Sequence, residues 1–177
     1  METCREALIQ ENIELLKKLR EVLDGVGEDS YTAMHGPFRR GGIGKHVRHV
    51  LDHYKALLNA GGDALNGEAL NYEARTRDPD IEQYPTAAVA TIDSIVMQLS
   101  RNRVPDSVPK AKHVWGAGEG VVATSLEREL QFLASHTVHH MSLVAWIMDF
   151  LGFAVPDSFG VAPSTLRYEA TRNRNGA

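Results

Sequence analysis

Three histidines fall within five residues at His136-Thr137-Val138-His139-His140, inside a segment whose apolar spacing reads as a long helix. Residues four apart on a helix share a face with their Cβ atoms about 5 to 6 Å apart, so the imidazoles of His136 and His140 can hold one divalent cation between them. His139 is turned roughly 100° from His140 and points elsewhere, to a subunit contact, a hydrogen bond or solvent. The cation needs a third nitrogen, and the densest remaining supply is Lys45-His46-Val47-Arg48-His49-Val50-Leu51-Asp52-His53-Tyr54. Metal chemistry therefore predicts that these two segments, far apart in sequence, face each other.

At about 100° per residue, Glu129, Phe132, His136, His140, Leu143 and Ile147 share one arc, which aims the two histidines inward. Imidazoles left unpaired in an apolar interior cost free energy, whereas a bound cation engages a lone pair on each. On the second histidine segment, Val47, Val50, Leu51, Tyr54, Leu57 and Leu58 form the apolar arc, and Lys45, Arg48, Asp52 and Lys55 form the polar one. The three histidines lie on the flank between them. His46 and His53 stand nearer the apolar arc than His49, so the helical wheel favours one of those two as the third ligand.

Other chemistry is thin. Thr137 stands where the His-Glu-x-x-His motif of zinc proteases requires its general-base glutamate, and no serine-nucleophile motif is present. The single cysteine, Cys4, has no general base near it in sequence and reads as an ordinary thiol. Glu129 sits about two turns before His136, suited to orienting a ligand or moving a proton and equally to serving the helix N-terminus. Arg75 and Arg77, in the polar run Asn71 to Pro79, carry the forked donors that bind carboxylates of a cofactor or substrate, with surface ion pairing as the plainer role. Trp115, among glycines, reads as a hydrophobic anchor for its loop.

Four apolar-striped helices must position these groups. The first spans Cys4 to Leu23 and stops at Asp24-Gly25. A loop through Tyr31, His35-Gly36-Pro37 and Arg39-Arg40 leads to the second, which carries His46, His49 and His53 and closes at Gly61-Gly62. From Asp63 to Pro85 the chain reads as an irregular crossover. The third helix begins after Pro85 with Thr86 as its cap and ends before Pro105. Proline and glycine between Val104 and Val122 indicate loops or a short hairpin, with Val121-Val122-Ala123 as its second strand. Thr124-Ser125-Leu126-Glu127 has capping-box spacing and opens the fourth helix, which reaches Phe150 or Leu151. The fold expected is all-α, a four-helix bundle over residues 1–155 with a long second crossover, followed by an extended tail over 156–177.

Composition narrows the partners. The 177 residues suit one domain, and 43% hydrophobic residues suffice for a single core. With 19 Lys and Arg against 23 Asp and Glu, net charge −4, no basic patch invites nucleic acid or an anionic membrane. No apolar run approaches the roughly 20 residues of a membrane span, and Met1 to Glu6 leads into an amphipathic segment, so the chain reads as a soluble cytoplasmic protein.

Two segments resemble the DinB-like, or damage-inducible, family of bacterial metal-binding four-helix bundles. Ile43 to His53 is similar to the family's second-helix pattern, a histidine followed by an apolar residue and, two further on, an aspartate. His136 to His140 is similar to its fourth-helix motif, whose first and last histidines bind metal. The resemblance implies the ligands His49, His136 and His140, against the wheel's preference for His46 or His53. Three imidazoles leave a divalent ion an open position, and zinc and nickel both suit such ligands. The family includes thiol-dependent transferases and isomerases, so the likeness implies a small-molecule substrate and a low-molecular-weight thiol cofactor activated at the metal. The alternative is a protein that binds metal or a small molecule without turnover and acts by association, as a homodimer through exposed apolar helix surface.

Overall fold

Leucine and isoleucine at three- and four-residue spacing build α1 (Cys4–Leu23), which buries Ile9, Ile13, Leu16 and Leu19. Its start is closed reciprocally: the Thr3 hydroxyl accepts from the Glu6 N–H and the Glu6 carboxylate accepts from the Thr3 N–H. The computed structural model describes residues 3–34, 41–63, 69–115 and 118–175, without the side chains of 61–63, 115 and 173–175. After α1 come α2 (Glu28–Thr32), α3 (Ile43–Asp63), α4 (Pro79–Gln83), α5 (Pro85–Ser100), β1 (Lys110–Trp115), β2 (Gly118–Ala123), α6 (Leu126–Phe150) and α7 (Pro163–Asn175). The structure is thus mostly helical, with one small antiparallel hairpin whose register pairs Lys110 with Ala123 and Trp115 with Gly118.

The four long helices make the core. α1 packs on α5 and α6, and α3 packs on the same two. Leu16, Leu51, Leu57, Ile92, Leu130 and Leu133 meet at the centre with no measurable exposure. A polar group crosses this core. Asn12 on α1 donates to the Leu130 carbonyl, Tyr54 on α3 donates to Asn12 Oδ1 at 2.7 Å, and the same hydroxyl lies 3.1 Å from Thr137 on α6. Every member is bonded, so the network fixes how α1, α3 and α6 register without leaving an orphan in the interior.

The connections depart from expectation. The crossover is not wholly irregular: α4 forms within it, with Asp78 accepting from the Asp80 N–H and Pro79 at the first helical position. Leu70 is tied to β1 as a parallel bridge to Ala111, through bonds of 3.1 and 2.7 Å. α5 begins at Pro85, with Tyr84 and not Thr86 in the capping position. Ser125, one residue later than expected, caps α6 by accepting from the Arg128 N–H. The hairpin is present as expected, with Val121 to Ala123 in its second strand. The end of the chain is corrected as well. Residues 163–175 form α7 and are not extended. Before α7 the chain crosses α6 closely, burying Phe159. Gly160, at φ +73°, lies so near that a Cβ there would stand 2.6 Å from the Ser142 backbone nitrogen. The loop from His35 to Arg40 and the Trp115 side chain lie outside the described residues.

Among the described residues no helix is long and apolar enough to cross a membrane.

Candidate metal centre

Packing of α3 against α6 brings His49, His136 and His140 together, each offering one ring nitrogen, with the three nitrogens all within 4.8 Å of one another. Ring centroids lie 5.0 Å apart for His49 and His136, 4.7 Å for His49 and His140, and 4.5 Å for His136 and His140. The i, i+4 pair on α6 therefore meets its partner from α3 as the histidine spacing predicts. The third member is His49, which corrects the helical wheel. The middle of the α3 arc counted as solvent-facing is covered: Arg48 is 6% and Asp52 2% exposed, because the crossover lays α4 over them, while Lys45 is exposed and Lys55 partly so. Arg48 donates at 2.7 Å both to Asp52 and to Glu82 of α4. With burial on both sides of the histidine flank, His49 is turned inward.

The two histidines the wheel preferred surround the group. His46 Nδ1 lies 3.0 Å from His140 Nδ1, so one of the two must donate to the other. With His140 Nδ1 as the donor, that bond leaves the Nε2 lone pair for a cation and holds the ring in place, as outer partners of metal-bound histidines commonly do. His53 Nδ1 donates to the His49 carbonyl at 2.7 Å, which fixes its tautomer, since a carbonyl can only accept. Its ring packs 4.3 Å from that of His136 and 5.1 Å from that of Tyr72. His139 is exposed, with its ring 5.1 Å from that of His140, and is not one of the three converging ligands.

Burial determines the charge state of the cluster. Removal from water pushes His49 down to about 3, with His53 and Arg75 adding repulsion. The same cause lowers His136 to about 4 and His140 to about 2, their histidine neighbours contributing. His46 and His53 are lowered too, again chiefly by burial. All five rings are neutral at pH 7, the form that offers a lone pair to a metal. His136 Nε2 is buried with no hydrogen-bond partner, an orphan that a cation would satisfy. The residues present thus fit a divalent ion: three neutral imidazoles converge, and one of them, His136, carries a buried nitrogen with no partner.

Arg75 and Arg77 part company. Arg75 Nη1 lies 3.3 Å from His49 Nδ1 and 3.2 and 3.0 Å from the two ring nitrogens of His53, at the edge of the cluster. Arg77 is exposed, at φ 51°, and is not brought to the site. Glu129, 7% exposed, reaches none of the histidines. It accepts from the Tyr72 hydroxyl at 2.9 Å and from the Thr124 hydroxyl, and so ties the crossover and the hairpin exit to the start of α6. Tyr72, which sequence reasoning passed over, is held protonated by burial and by the adjacent carboxylate. A cavity of about 500 Å³ opens here, walled by Phe132, His53, Tyr72, Glu129, Lys112 and Arg128. His53 and Phe132 are shared walls: each faces the cavity and also packs on His136.

Comparison with known proteins adds little to this geometry. No family model matches the chain, and no solved structure does. A stretch of 104 residues, 56% of the chain, is 30% identical to a protein of Rhizopus delemar named FK506-binding protein 5. The chain spans 27% of that protein's length.

Proposed function

We propose that this chain is a divalent-metal-dependent enzyme of the DinB-like kind, a four-helix bundle in which His49, His136 and His140 hold the ion and a low-molecular-weight thiol is a substrate or co-substrate. The observation that carries the proposal is the meeting of three imidazoles whose offered nitrogens lie within 4.8 Å of one another, on rings that include His136, whose Nε2 is buried without a hydrogen-bond partner. Catalytic zinc sites characteristically use three protein ligands and leave a position for water or substrate, whereas structural sites use four. A divalent ion in such a site supplies Lewis acidity that lowers the pKa of a bound water or thiol toward neutrality. Zinc and nickel are the ions the imidazole set suits best.

The chain's own residues divide the remaining work. His46 orients His140, and the covered Arg48–Asp52–Glu82 group holds the α3 turn that presents His49. His53 and Phe132 shield one side of His136 from water, while the 500 Å³ cavity beyond them has room for the body of a small organic substrate. No acidic or serine nucleophile stands at the cluster among the described residues, which favours chemistry in which the nucleophile arrives with the substrate. We place the enzyme in the cytoplasm. Trp146 and Phe150, one turn apart on α6 and 72% and 55% exposed, favour association into a homodimer. The name of the Rhizopus relative does not enter the proposal, since the match spans about a quarter of that protein.

The test is turnover by metal-loaded protein across a panel of biological thiols and electrophiles. Consumption of one thiol that requires His136 is the expected result. Silence across the panel, with the metal present, would leave a non-catalytic metal-binding protein.

A further inference from the structure

We infer that the ligand completing the metal centre is a carboxylate, held between the cation and the guanidinium of Arg75. The inference rests on the metal-site reading above and deepens it by naming the chemistry of the small molecule.

The first ground is charge. Three imidazoles neutralise nothing, so a divalent ion on His49, His136 and His140 keeps its full charge in a half-buried site where Coulomb interactions are stronger than in water. The nearby acids are committed or exposed. Asp52 gives Oδ2 to Arg48 and keeps Oδ1 buried without a partner, Glu129 is bonded to Tyr72 and Thr124, and Glu73, exposed, acts with Asp52 on Arg75, but none of them is among the three converging ligands. The nearest charged group is instead another cation, Arg75, with Nη1 3.0 to 3.3 Å from the rings of His53 and His49. Two cations side by side repel, and an anion between them relieves that repulsion.

The second ground is the state of the guanidinium itself. Arg75 Nε is buried and has no hydrogen-bond partner. Nη1 is partnered, 3.0 Å from Nε2 of His53, the acceptor nitrogen of a ring whose Nδ1 donates to the His49 carbonyl. Nε is therefore a donor left over in a place where unpaired donors are costly. A carboxylate answers both grounds at once: it is planar, carries one negative charge and has two oxygens, one for the metal and one for the fork. A thiolate offers a single acceptor atom, which the metal and the fork would have to share, whereas a carboxylate gives each its own oxygen. Arg75 is in this account a substrate-positioning residue.

The experiment uses cobalt as a visible reporter. Wild-type protein, Arg75→Met and Arg75→Lys are loaded with cobalt(II), their cobalt content and melting curves are measured, and each is titrated with acetate, inorganic phosphate and 2-mercaptoethanol. Equal cobalt content in all three proteins is expected, because Arg75 is not a ligand. Acetate should shift the wild-type spectrum saturably, and its affinity should fall about 10- to 100-fold in Arg75→Met, the worth of charge-assisted hydrogen bonds. In Arg75→Lys, which keeps the charge and loses the fork, acetate should weaken to an intermediate degree while 2-mercaptoethanol binding holds. Equal acetate affinity in wild type and Arg75→Met would overturn the inference, as would tighter Arg75-dependent binding of phosphate. Failure of wild-type protein to take up cobalt is a separate result, read before any anion is added, and would overturn the metal site itself.

Discussion

Binding of a divalent metal to this protein at pH 6.0 should release almost no protons. Ordinary histidines titrate near 6.5, so at pH 6.0 each is about three-quarters protonated, and three of them must shed about 2.3 protons before they can ligate. Here burial between α3 and α6 holds His49, His136 and His140 at about 3, 4 and 2. At pH 6.0 those values leave about 0.01 proton on the three rings together. A metal-bound water with a pKa near 7 adds about 0.1. Calorimetric titration of zinc into metal-free protein at pH 6.0, repeated in buffers of different ionisation enthalpy, counts the protons directly. Fewer than about 0.3 per metal is the expected result. Two or more would refute the claim that the fold presents these rings already neutral, and would mean that the cluster opens to water before the metal arrives. The same reasoning predicts an affinity that changes only about two- to threefold between pH 7 and pH 5, where unperturbed histidines would lose roughly four orders of magnitude.

Three further outcomes follow from the same contacts. The five lowered histidines stabilise the metal-free fold fully above about pH 6.5, and that contribution is lost as pH falls, because the unfolded chain takes up protons that the folded one refuses; urea midpoints should drop steadily from pH 7 to pH 5 and recover on adding zinc. His46→Ala removes the partner of His140 Nδ1 and should weaken metal binding about 10- to 100-fold in competition with a chelator, while leaving one site per chain. Tyr54→Phe strands Asn12 Oδ1 in the core and should cost about 1 to 3 kcal/mol in denaturant unfolding, with metal stoichiometry unchanged.

The parts of the site legible in the sequence were those set by local periodicity. His136 and His140 share a face because 3.6 residues make a turn, and α1 and α6 end within a residue or so of where their caps and glycines indicate. His49 was not legible that way. Its inward position depends on Arg48 and Asp52 being buried, and that in turn depends on α4, a five-residue helix some thirty positions downstream that no wheel drawn on α3 contains. A charged arc reads as solvent-facing until something charged covers it, and Glu82 supplies the covering charge. Only the resemblance to the DinB-like pattern implied His49. The tail was misread for a related reason: residues 163–175 are too polar to show an apolar stripe, although Pro163 in the first position is itself a helix-start signal. Arg75 and Arg77 are chemically alike and two residues apart, and only the path of the crossover separates the one at the cluster from the one in solvent.

The most direct test of the metal centre is elemental analysis of purified protein, reconstituted with zinc or nickel and freed of loosely bound ion, beside single alanine variants at His49, His53, His136 and His140. One equivalent of metal in the wild type and in His53→Ala, with loss from each of the other three, is the expected pattern. Full metal content in folded His136→Ala would contradict it.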